Sequence, residues 1–72
     1  MKYIIFDSKY PVIFPDEVIH CEIKLSLYPP TSAGEIVLTS YKGVCCFGES
    51  GSLGLKSKKE DSLLIKKYLY DK

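Results

Sequence analysis

Apolar and polar residues alternate most regularly in "CEIKLSLY", residues 21–28. Cys21, Ile23, Leu25 and Leu27 fall on one side, and Glu22, Lys24, Ser26 and Tyr28 on the other. A period of two predicts a half-buried strand with one solvent face. Upstream, "KYIIF" (2–6) and "PVIF" (11–14) are rich in β-branched and aromatic residues and flank the turn "DSKY". The pair reads as a hairpin, with Pro11 tolerated at the start of the second strand. Pro15, Asp16 and Glu17 break it. "PPTSAG" (29–34) reads as a loop, because its double proline opposes both a helix and a central strand. "EIVLTSY" (35–41), "VCCFGE" (44–49) and "SLGLK" (52–56) read as three further strands. Gly43 supplies the positive φ of the tight turn between the first two.

The period changes after residue 56. Leu64, Ile65, Tyr68 and Leu69 form an apolar stripe at helical spacing. Ser57 followed three residues later by Glu60 has the spacing of a capping box. Glu60 and Asp61 near the start, with Lys66, Lys67 and Lys72 toward the end, complement the helix dipole. The expected fold over residues 1–72 is one small α+β domain. It has an antiparallel sheet of five to six short strands, built of hairpins, and one C-terminal amphipathic helix packed on one face. Leu25, Leu27, Ile36, Leu38, Leu64, Ile65, Tyr68 and Leu69 are the expected core.

Charge changes the picture only locally. The net charge is +1, so no strong overall field recruits nucleic acid or a membrane. Residues 1–55 carry four Lys and six acids, a net of −2, whereas residues 56–72 carry six Lys and three acids, a net of +3. All ten basic residues are lysine, so the guanidinium forks preferred for guanine and phosphate are missing. The apolar runs are far too short for a signal-peptide core or a membrane span, so a cytoplasmic protein with no membrane partner is expected.

Chemistry-bearing motifs are sparse. "FGESGSLGLKSKKED" (47–61) carries Gly48, Gly51 and Gly54 ahead of Lys56 and Ser57, which raises the question of a phosphate loop. A Walker loop needs glycine directly before the Lys-Ser pair and five positions earlier, where this chain has Leu55 and Ser50. A dinucleotide fingerprint needs a βαβ unit that the chain does not offer. What remains is a helix N-terminus near Ser57 whose free amides, with Lys56, Lys58 and Lys59, could hold an anion. Cys21, Cys45 and Cys46 are odd in number, and the last two, adjacent on a strand, diverge. They read as reduced, buried, apolar-like residues. His20 with these cysteines lacks zinc-ligand spacing, and if Cys21 faces the core then His20 faces away. No catalytic, cofactor-binding or metal-binding residue is expected, and no enzyme.

Surface recognition has better support. Lys59, Leu63, Lys66, Lys67 and Tyr70 project from the helix away from its apolar stripe and form the expected binding surface. Tyr28 and Tyr41, on the polar sides of their strands, form a second candidate.

"CFGESGSLGLKSKKEDSLLI" (46–65), with "KYIIFDSKYPVIFPD" (2–16) and "TSAG" (31–34), resembles small uncharacterised proteins encoded by bacteriophages and prophages. The shared pattern is Phe47, Gly48 to Ser50, Ser52 with Leu53, Ser57, and Glu60 with Asp61. The resemblance implies a mobile-element origin and carries over no functional residue. The expected function is a small non-catalytic protein-binding module, of a kind that in a phage would inhibit a host factor or defence component. The alternative is a nucleic-acid-binding module using the lysine-bearing helix and exposed tyrosines. The expected partner is another protein. Self-association is open.

Overall fold

The computed structural model describes residues 1–24, 27–39 and 43–70. Strands β1 (Lys2–Phe6) and β2 (Tyr10–Phe14) form the expected hairpin. β3 (Pro30–Thr39) and β4 (Gly43–Phe47) form a second, and Gly43 has the positive φ expected of it, +79°. These four strands make one antiparallel sheet in the order β2-β1-β3-β4. Among the described residues β5 (Glu49–Ser50) and β6 (Leu55–Lys56) pair with each other as a separate two-stranded ladder. The helix α1 (Asp61–Tyr70) follows them. The fold is thus α+β with one C-terminal helix, but the five- to six-stranded sheet is a four-stranded sheet plus a two-stranded ladder.

Strand β1 is buried on both faces. Tyr3 and Ile5 pack with Ile36, Val44 and Ile65 under α1, with Leu64 and Leu69 at the margin. Ile4 and Phe6 pack on the other face with Phe14 and Ala33, under Val18, Ile23, Leu53 and Leu55. Helix cover on one side, and irregular chain plus the β5–β6 ladder on the other, explain why "YIIF" is a continuous apolar run.

Three expectations fail here. Residues 21–28 are not a strand: His20–Glu22 is a 3-10 turn, and Leu27 is 86% exposed. Leu25 and Ser26 lie outside the described residues. The segment is drawn in by His20, not Cys21. The His20 ring is buried, edge-on to Phe14, and its Nε2 lies 3.1 Å from the Gly34 carbonyl. A carbonyl only accepts, so Nε2 carries the proton. Residues 29–34 are not a loop. From Pro30 onward they begin β3, which pairs with β1 and β4 in the sheet interior. Pro30 is accommodated because it is the first residue of the strand, where the register slips between Ile5 and Phe6. Residues Ser32, Ala33 and Gly34 are small because they are covered on every side.

The expected core is also only partly right. Ile36 and Ile65 are buried and Leu64 and Leu69 pack against them, but Leu38 is 43% and Tyr68 58% exposed. β3 and α1 both have ten residues. At about 3.3 Å per strand residue and about 1.5 Å per helix residue, the strand outreaches its cover. Leu38 lies near the far end of β3, beside the exposed Val37.

Candidate functional site

Helix α1 begins at Asp61, four residues beyond Ser57, and the Ser57 capping box does not form. The Ser57 N–H donates to the Gly48 carbonyl (3.0 Å), so it is unavailable to Glu60. Asp61 takes over. Its Oδ2 accepts the Lys58 N–H at 2.8 Å and the Tyr3 hydroxyl at 2.5 Å, and its Oδ1 accepts the Ser32 hydroxyl at 3.0 Å. The residue is 2% exposed. A buried carboxylate is tolerated when its lone pairs are filled by donors. Asp61 therefore ties α1, β1 and β3 together.

The anion-binding reading of this helix start is thereby answered. The position an external anion would take is filled by the chain's own carboxylate, and the cleft beside it measures only about 30 Å³. That is room for about one water. Residues Cys46 and Ser62 adjoin the cluster, the Ser62 hydroxyl accepting the Cys46 N–H at 3.1 Å on the outer edge of β4.

Burial, and then the hydrogen bond to Asp61, push the Tyr3 phenol far above its ordinary value. Burial also pushes the Cys46 thiol up, with Ser62 opposing. Groups whose folded pKa is raised stabilise the fold fully below their unfolded values, about 8.5 for Cys and about 10 for Tyr. That contribution is lost as pH rises further, because the unfolded chain releases protons that the folded chain retains. The melting temperature is therefore expected to be lost progressively above about pH 9–10, where unfolded thiols and phenols ionise. In Tyr3→Phe, less stable at neutral pH, the alkaline fall should be shallower. Equal alkaline slopes in a pH series of melts would contradict this.

The cysteines and histidine do not assemble. Cys21 and Cys45 are exposed and Cys46 is half-buried, against the expectation of three buried thiols. Among the described residues no group of three or more His, Cys, Asp or Glu side chains could hold a metal ion.

The expected binding surface is largely brought together. Leu63, Lys66, Lys67 and Tyr70 line one shallow concavity of about 430 Å³ on the outer side of α1. Leu63 is 71% and Tyr70 62% exposed. Their seven-residue separation is two helical turns, which places both on one face. Lys59 is not on the helix. It is exposed in the turn before it. The second candidate surface is split: Tyr28 packs its ring 4.8 Å from that of Tyr10, whereas Tyr41 lies outside the described residues.

Two features escaped sequence reasoning. Asp61 reads in the sequence as a helix-start acid, although it sits four residues before Ile65 and eight before Leu69, on the buried row. The other is a pocket of about 330 Å³ beside Tyr28, whose walls come from segments distant in sequence. Among the described residues no helix is long and apolar enough to cross a membrane. No protein-family model, curated protein or solved structure matches the chain.

Proposed function

We propose that this chain is a non-catalytic protein-binding module whose partner docks on the outer face of α1. The observation carrying this is the concavity framed by Leu63 and Tyr70, with Lys66 and Lys67 between them. Large side chains left in solvent on one helix face are anchors for a complementary surface, and a charged rim selects among partners. Ile65, on the opposite side of the helix, is fully buried. The fold therefore needs neither Leu63 nor Tyr70 for its core. The resemblance to phage-encoded products makes a bacterial host factor or defence component the partner class to seek.

The test is an affinity capture from bacterial lysate with the wild-type chain and with the triple variant Lys66→Glu, Lys67→Glu, Tyr70→Ala. The melt should change little, because all three positions are exposed. A partner held by the wild type should be lost by the variant. Equal capture by both would move the interface off the helix. Oligonucleotide binding that weakens steeply with salt, with no protein captured, would replace this reading by a nucleic-acid one.

A further inference from the structure

The pocket beside Tyr28 lies on the face of β1 opposite α1, where the cover of the second core cluster is made of two separate pieces. Ile23 comes from one piece and Leu53 from the other, and Phe6 forms part of the lining between them. Its volume of about 330 Å³ is that of a small-molecule site. Pro30 completes the apolar wall, and the remaining lining residues are Cys21, Lys24 and Tyr28.

We propose that this pocket binds a small apolar monoanion, a carboxylate on an aromatic or branched aliphatic body. The lining carries one positive charge, Lys24, and no negative one. Lys24 makes no ion pair among the described residues. Tyr28 is fixed against the Tyr10 ring at one side of the pocket. Its neighbour Tyr10, through charge and a side-chain hydrogen bond, and more weakly burial and Asp7, push its phenol up, so Tyr28 serves the pocket as an aromatic wall. An ammonium calls for an acceptor, and a carboxylate answers it with a charge-assisted bond. The apolar wall takes the body of the ligand. A cation of the same shape meets Lys24 as a like charge, and a neutral alcohol forgoes the charge-assisted bond. Asp7 acts on the phenol, so the ligand's carboxylate belongs at the Lys24 end.

The probes are phenylbutyrate, phenylbutanol and phenylbutylamine, which share one apolar body and differ in charge. Titrated into the isotope-labelled chain, phenylbutyrate should saturate with shifts at Ile23, Lys24, Tyr28 and Leu53, at about millimolar concentration for a ligand this small. Phenylbutylamine should bind about tenfold more weakly or worse, as expected for one ion pair near the surface. Lys24→Glu should reverse that order, and Lys24→Gln should remove it, both with unchanged melts. Phenylbutyrate should also slow alkylation of Cys21 while the exposed Cys45 reacts as before. The proposal is overturned by absence of saturation, by equal binding of the three probes, by shifts centred elsewhere, or by equal protection of both thiols.

Discussion

Asp61→Ala is expected to cost the fold about half of its stability. The substitution removes the acceptor of three hydrogen bonds and strands the Tyr3 and Ser32 hydroxyls in the interior. Each buried donor left without a partner costs about 1–3 kcal/mol, and more is lost where the acceptor was charged. A total of about 3–5 kcal/mol follows. A domain of 72 residues has about 4–11 kcal/mol of stability in all, at about 0.05–0.15 kcal/mol per residue. Asp61→Asn should also destabilise, because the amide offers one acceptor oxygen and turns an NH₂ toward existing donors. The cluster leaves a further signature. Tyr3→Phe should cost less in the Asp61→Ala background than in the wild type, because the bond it removes is already gone. A denaturant melt of Asp61→Ala within about 0.5 kcal/mol of wild type, the range of ordinary surface substitutions, would sink this account of the helix anchor.

Gly34→Ala is expected to be the most damaging substitution of a glycine. A Cβ there would stand 2.5 Å from the Phe47 carbonyl oxygen, and 3.3 Å from both the Gly48 carbonyl oxygen and the Ser57 Cβ. The nearest atoms are backbone, so no flexible side chain can swing aside. Either β3 separates from the end of β4, or the Glu35–Phe47 register is disturbed. Overpacking of this kind costs about 1–3 kcal/mol, and more where backbone must move. The Gly34 carbonyl also accepts His20, so a shift at Gly34 loosens the turn that closes the second face. Gly51 is the control. A Cβ there meets nothing within 4 Å. Gly51→Ala should stay within about 0.5 kcal/mol of wild type. Similar melts for the two variants would contradict the close approach at Gly34.

Local signals were enough for the β1–β2 hairpin, for the turn at Gly43 and for the helix. Each of these depends on residues close together in sequence. The rest depends on contacts across long separations. Whether "CEIKLSLY" becomes a strand depends on finding a neighbour with which to pair, and its alternation cannot say that β3 already occupies that place beside β1. "PPTSAG" looks like a loop by composition, yet Ser32, Ala33 and Gly34 are small because Asp61, the second cluster and the Phe47 carbonyl crowd them. Asp61 satisfies a helix-start rule by itself, and the hydroxyls that fill its carboxylate come from Tyr3 and Ser32, far away in sequence. The candidate surface was more accessible to inference, because Leu63, Lys66, Lys67 and Tyr70 all lie on one ten-residue helix. The pocket was not, because Phe6, Ile23 and Leu53 meet only after folding.

The most direct test of the proposed docking face is site-specific photo-crosslinking. A photoreactive phenylalanine analogue is placed at Tyr70 in one chain and at Tyr28 in another, and each is irradiated in bacterial lysate. Both positions are exposed aromatics, so the probe costs the fold little at either. Docking on the outer face of α1 predicts a discrete protein adduct from the Tyr70 position, suppressed by Lys66→Glu with Lys67→Glu, and none of that mass from the Tyr28 position. An adduct from Tyr28 alone, or one from Tyr70 that the charge reversals leave intact, would contradict it.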